Sequence, residues 1–452
     1  MQKSTFIPEF KKLFSLALPI ISGGVLSSII PFINTVFMGH VSEDALAASG
    51  LVNAIFVFVM ILFWGIFSSL SALIARYEAS KNPERSRQLT RSAFVLAICL
   101  SLPVMLLFDC GDMILKLLGQ KPHVIALAHP YFISLSFAVL PDFLLAIFYQ
   151  LYFGLSKPRI VMILMAIMVP LDLGLTASFV FGWFGLPALG IVGLGVGASL
   201  SYWTLLGIMI IMTKRYTPFF KTYLSGKIWF FKDCAKELLH VGLPVGAMWV
   251  FECGFFTAIS FFMGVLSDTA LAAHQMTFQT YMFFFMFTYN FCQAVSIRVG
   301  DALGKNNLRQ ARDAYLGGLI FSCSISIFVA ALCWFAGGPI IHLFLGDAYF
   351  TSTALVALTL PLLKIAPIAF LADSLGYTTF STLRALKDTR YTMFVALVVY
   401  WVFIIPAIAV GVLHFHWQSP ELLWWLMCLG LFFSFIGQVQ RLFRAHPLFL
   451  AR

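Results

Sequence analysis

Four carboxylates stand where the surrounding residues are almost wholly apolar: Asp142, Asp172, Glu252 and Asp373, out of 19 acidic residues in the chain. At the centre of a lipid-spanning helix an ionisable group costs about 2.5–3.5 kcal/mol on insertion scales, so each needs a partner, a bound ion or a proton. The chemistry open to them is coordination of a cation through oxygen, or proton uptake. Asp142 follows Pro141 directly and has a second reading as a helix-cap or kink residue. One base, Lys364, accompanies the acids, nine residues before Asp373. At 3.6 residues per turn that spacing puts it on roughly the opposite helix face, although the intervening Pro367 weakens the inference. It either snorkels to the outer surface or pairs with an interior acid. Four acids against one base favour cations as ligands of this interior.

The elements that must carry these groups are membrane spans. Of 452 residues, 61% are hydrophobic and 11% charged, against roughly 45–50% and about 25% in an ordinary soluble domain. Apolar runs near 14–39, 45–75, 92–108, 129–153, 160–182, 188–213, 239–264, 270–297, 314–336, 353–383, 391–413 and 420–440 repeatedly reach the roughly 20 residues that cross a bilayer as a helix. The formal charge of +10 points to topology rather than to nucleic acid, because nearly all Lys and Arg fall in alternate loops. They cluster at Lys11 and Lys12, Arg76 to Arg91, Lys157 and Arg159, Lys214 to Lys236, Arg298 to Arg312, Arg384 to Arg390 and Arg441 to Arg452. By the positive-inside bias both termini are cytoplasmic, in a multi-pass protein of the plasma membrane, or of the inner membrane if the cell is Gram-negative. The first run carries Pro19 and no small-residue cleavage site, so it reads as a span and not as a removable signal peptide. Eight cysteines without a CxxC read as small buried hydrophobes. His414 and His416 lack further ligands nearby for a metal. The polar stretch from Thr213 to Leu238 interleaves Lys with Phe and Trp; it is either a helix lying on an anionic surface or a solvated linker.

An internal repeat organises the spans. Leu18-Pro19 matches Leu243-Pro244, Met38-Gly39 matches Met263-Gly264, and Ala45-Leu46-Ala47-Ala48 matches Ala270-Leu271-Ala272-Ala273, each 225 positions on. Lys81-Asn82 meets Lys305-Asn306, Leu118-Gly119 meets Leu345-Gly346, and Asp142 meets Asp373 at slightly different offsets. The expected fold is an all-α membrane protein of twelve transmembrane helices. They form two homologous six-helix lobes related by a pseudo-twofold axis along the membrane normal, with a central cleft for alternating access. The lobes are 1–213 and 239–440, joined by a cytoplasmic linker 214–238 and followed by a cytoplasmic tail 441–452.

Several runs carry a resemblance. Thr35-Val36-Phe37-Met38-Gly39-His40 with Ala45 to Ala48, Leu271-Ala272-Ala273-His274-Gln275, Phe184 to Gly190, Ala294 to Gly300 and Leu383 to Thr389 are similar to the multidrug and toxic compound extrusion (MATE) family, NorM-like branch. Their order and spacing span almost the whole chain. The resemblance implies a secondary transporter, not an enzyme, that exports amphipathic organic cations such as drugs in exchange for Na⁺ or H⁺. It would work as a monomer in the bilayer, without a cofactor or nucleic acid. Glu252 and Asp373 match acidic positions that the family uses for cation coupling, which makes them the Na⁺ or proton candidates here. In the first span most NorM-like members read Val-Asp-Thr, where this chain reads Ile33-Asn34-Thr35. In the fifth span the family often has Asn where Asp172 stands. Acid and amide are thus exchanged, and Asn34 and Asp172 are expected to face each other. The competing expectation is that Asp172 bonds to backbone freed near Pro170. Asp142 is a third candidate in the first lobe.

Two alternatives fit less well. A lipid-linked saccharide flippase of the same superfamily would need several buried arginines for pyrophosphate, and no Arg lies well inside a span. A membrane-embedded enzyme would need convergent groups such as HExxH, and an ATP-driven pump a GxxxxGK[ST] loop; neither motif occurs.

Overall fold

A computed structural model describes residues 6–117, 119–216, 223 and 230–446. Of the polar stretch 214–238, residues 217–222 and 224–229, where the expected surface helix falls, lie outside the described residues, as do Leu118 and the end of the tail 441–452. Among the described residues all regular structure is helical. In chain order the helices are α1 (Phe6–Val41), α2 (Glu43–Ala79), α3 (Pro83–Asp109), α4 (Gly111–Leu117), α5 (Pro122–Gly154), α6 (Pro158–Phe181) and α7 (Ile191–Tyr216). There follow α8 (Lys232–Leu266), α9 (Asp268–Gly304), α10 (Leu308–Phe335), α11 (Gly337–Leu345), α12 (Thr353–Ala385), α13 (Thr389–Ala396), α14 (Ile405–Leu413) and α15 (Pro420–Ala445). Counting α13 through α14 as one, eleven helices are long and apolar enough to cross a membrane. The twelfth, α9, has the length at 37 residues but a more polar composition, with Gln275, Asn290 and Gln293 among its side chains.

The repeat is visible in how the helices begin. Ser42 caps α2 by accepting from the Ala45 N–H at 3.0 Å, and Ser267 caps α9 by accepting from the Ala270 N–H at 3.0 Å. Asn82 and Asn307 do the same for α3 and α10. A short side-chain oxygen there satisfies an amide that no helical carbonyl can reach. The residue before each Asn takes a positive φ, 58° at Lys81 and 55° at Asn306. The structural equivalents are therefore Lys81 with Asn306 and Asn82 with Asn307, one position away from the match of Lys81-Asn82 to Lys305-Asn306 read from residue types. Cap geometry, and not side-chain identity, sets that register.

Two compact units emerge: Pro19–Gly246, and Met1–Leu18 together with Ala247–Arg452. The cut differs from the lobes expected at 213 and 239, because the first segments of α1 and α8 are exchanged. In one unit, Glu9 of α1 is 4% exposed and accepts from Arg298 Nε and Nη2, each at 2.7 Å, and from Gln310 Nε2 at 2.9 Å. In the other, Glu237 of α8 accepts from Arg85 Nη2 at 3.1 Å. Further along α8, a Cβ on Gly242 or Gly246 would collide with backbone oxygens of Ile66 and Leu62 on α2. That small-xxx-small spacing lets two backbones approach closely in lipid, where packing replaces the hydrophobic drive. The exchanged segments end next to Pro19 and Pro244, the aligned prolines of the repeat.

Each unit is built around its fourth span. α5 packs against α2, α3 and α7, and α12 against α9, α10 and α15. From Ile365 to Ala385 all but three residues of α12 are buried, so polar groups placed there meet protein rather than lipid. Pro406 cannot donate to the carbonyl four residues back, and the preceding turn Leu397–Ile404 widens to a π-helix. All eight cysteines are unpaired, and Cys99 and Cys110 are exposed rather than buried.

Candidate cation site

Glu252 lies on α8 and Asp373 on α12, 8% and 5% exposed, and their carboxyl groups stand within hydrogen-bonding reach of each other. The Tyr281 hydroxyl of α9 donates to Asp373 Oδ2. Three helices thus converge on one pair of carboxylates. The surroundings are aromatic: the Tyr281 ring meets Phe370 edge-on at 5.6 Å between centroids, and Phe256 at 6.1 Å. The π turn braces the site from a third direction, since Trp401 Nε1 donates to the Phe251 carbonyl at 3.1 Å, next to Glu252. Trp401 also packs where a Cβ on Gly254 would sit.

In the other unit Asp172, on α6, is 1% exposed. Ser201 of α7 and Asn34 of α1 lie within side-chain hydrogen-bonding reach of its carboxyl. One oxygen of each polar group, Asp172 Oδ2 and Asn34 Oδ1, is buried without a hydrogen-bond partner. Two buried acceptors lacking donors are an arrangement that a cation or a proton would satisfy. Asp142 is inside α5, not at its end, so the cap reading does not apply; it accepts from Trp64 Nε1 of α2 at 2.8 Å. Asp142 and Asp373 are repeat equivalents, yet Trp64 and Tyr281 are not, and the two units have taken separate polar partners.

Lys364 is exposed on α12, and its carbonyl accepts from Trp334 Nε1 at 3.0 Å. Two groups escaped sequence reasoning. Tyr281 belongs to a run of aromatic residues whose helical spacing reads equally well as packing. Arg384, expected in the loop after the tenth span, is in the last turn of α12 and 1% exposed.

A family model described as MatE matches residues 19–178 and 244–410, stretches that start at the aligned prolines Pro19 and Pro244. The chain belongs to the MatE family. A probable multidrug resistance protein NorM of Pseudomonas syringae pv. tomato is 30% identical over 443 residues, covering 95% of this chain and 94% of its own. Another of that description, from Pseudomonas aeruginosa, is 29% identical over 436 residues, covering 96% and 89%. Among solved structures, the eukaryotic MATE transporter AtDTX14 superposes with a TM-score of 0.86 at 20% identity, covering 98% of this chain and 97% of its own. A transporter of the MOP superfamily from Pyrococcus furiosus, whose reversed binding-pocket polarity suggests a different function, superposes at 0.85 with 16% identity, covering 99% of each chain. At such identities the likeness establishes the MATE fold alone, and the sign of charge that this MATE protein handles has to be argued from its own residues.

Proposed function

We propose that this MATE protein is a secondary antiporter that expels amphipathic organic cations from the cytoplasm in exchange for Na⁺ or H⁺. It resides in the plasma membrane with both termini cytoplasmic and works as a monomer. Its lobes 1–213 and 239–440 alternate access to the two sides. The apposition of Glu252 and Asp373, supported by Tyr281, carries this reading. Two carboxylates so close and so dry cannot both remain charged unless a cation lies between them or one proton is shared. Either state neutralises the pair, and an organic cation competes for the same negative charge. In the first lobe, Asp172 and Asn34 offer a second proton or cation position through their two unpartnered oxygens, with Asp142 as a further acid held by Trp64. An ion gradient supplies the energy, so no cofactor is required.

The test is gradient-driven efflux from proteoliposomes by Glu252→Gln and Asp373→Asn. Each amide keeps the shape and removes the charge, and each variant should lose coupled efflux at least tenfold while folding normally. Normal coupling in both variants would move the cation site elsewhere.

A further inference from the structure

A polar seam leads away from the acidic pair. α9 and α12 run parallel, and their facing side chains climb together in steps of about one turn. Below Asp373, Ser374 approaches Thr288 at 3.4 Å between hydroxyl oxygens, and Thr378 approaches the Cys292 sulfur at 3.3 Å. On the adjoining edge, the Tyr377 and Tyr289 rings lie 5.6 Å apart, and Trp249 packs on Tyr289 at 5.7 Å. Two polar groups along this stretch, Ser381 Oγ and Trp249 Nε1, are buried without a hydrogen-bond partner, in residues that are 0–6% exposed. A polar, hydroxyl-bearing seam through lipid-buried protein is a route that a small cation can follow more easily than the aromatic packing around the pair itself.

The seam ends at Arg384. Its Nη2 donates to Gln293 Oε1 at 2.6 Å and its Nε to Ser296 Oγ at 3.2 Å, both on α9, while the guanidinium carbon sits 5.8 Å from the Phe380 ring centroid. The group is rigidly held, 1% exposed and permanently charged. It stands eleven residues from Asp373, or about 16 Å along the helix, at the end that the charge bias assigns to the cytoplasm. An arginine placed across a narrow polar path excludes cations by fixed charge.

We propose that Arg384 is the electrostatic gate of this seam. It prevents a cation held at Glu252 and Asp373 from leaking along α9 and α12 into the cytoplasm, so that the cation leaves only through the transport cycle. Arg384 does not touch the cation; it keeps coupling tight. The proposal rests on the reading of Glu252 and Asp373 as the cation site.

Passive flux of Na⁺ and of protons into proteoliposomes, measured without any drug, separates the possibilities. Arg384→Gln should raise the flux of the coupling cation roughly tenfold or more, as expected when a like charge is removed from a low-dielectric path. Arg384→Lys should remain close to wild type. Adding Glu252→Gln to Arg384→Gln should bring the leak down again, because the path starts at the acidic pair. If Arg384→Gln does not fold, Gln293→Glu takes its place: it keeps the guanidinium and the packing but neutralises the charge, and should leak similarly. An unchanged flux in a folded Arg384→Gln or Gln293→Glu protein would overturn the gate. A leak that persists in full after Glu252→Gln would overturn the route through the pair. Coupled efflux that survives Glu252→Gln alone would instead overturn the cation-site reading on which the gate depends.

Discussion

At the scale of single residues, the four membrane acids were legible because a carboxylate in an apolar run is expensive enough to need a reason. What holds them was not. Tyr281 and Trp64 supply donors to Asp373 and Asp142, yet on a helix where Phe, Tyr and Trp recur, nothing in residue type distinguishes a donor from a packing ring. The exchange of Asn34 with Asp172 is more tractable, since the two side chains lie within hydrogen-bonding reach on different helices. If the pair works as one ionisable unit, Asp172→Asn should impair gradient-driven efflux several-fold at matched expression, and adding Asn34→Asp should restore it. A fully active Asp172→Asn protein would count against the exchange. Outside the membrane, Asp388 accepts from Arg441 Nε at 2.6 Å and hydrogen-bonds His446 Nε2 at 2.9 Å. Burial pushes its carboxyl up, but these two partners outweigh burial and hold it below the usual carboxylate range. A group depressed in the folded state stabilises fully above its unfolded value of about 3.9 and loses that contribution as pH falls through the lower, folded value. The melting temperature gap between wild type and Asp388→Asn should therefore be widest near neutral pH and narrow below about pH 4. A gap that is constant through that range would show that the carboxylate charge is not what stabilises the fold.

At the scale of helices, length and hydropathy mark eleven of the spans, and α9 with its polar load meets only the length. They did not find the exchanged segments, because composition runs smoothly through Pro19 and Pro244 and only tertiary partners reveal which unit a segment joins. Glu9 is the fastener of the first such segment. Its partner Arg298 is itself 11% exposed in its side chain, and truncating one member of a buried pair costs about 3–5 kcal/mol, more than an exposed pair would contribute. Arg298→Ala should lower stability in detergent by that order. The double change of Glu9→Ala with Arg298→Ala should cost less than the two single changes together, because no buried charge is left alone. Additive losses would mean that the pair is not coupled. Arg384 was read as a loop residue for a related reason: the expected span stops at 383, whereas α12 runs on to Ala385 and its last turn buries the guanidinium.

At the scale of the whole molecule, the repeat was visible in residue landmarks, and the caps at Ser42, Ser267, Asn82 and Asn307 give it a structural basis that tolerates a one-residue slip in side-chain identity. The family membership, the paired acids of one unit and the acid and amide of the other fit a transporter that carries positive charge in both directions. In the function proposed above, an inward cation gradient drives an organic cation out. The most direct measurement reconstitutes the wild-type protein in sealed vesicles loaded with a fluorescent organic cation and imposes an opposed Na⁺ gradient and an opposed proton gradient separately. One of the two gradients should drive efflux against the drug gradient, and a drug gradient applied alone should drive that same ion the opposite way. Efflux at the same rate with neither gradient, or efflux accompanied by no counter-movement of either ion, would contradict that function.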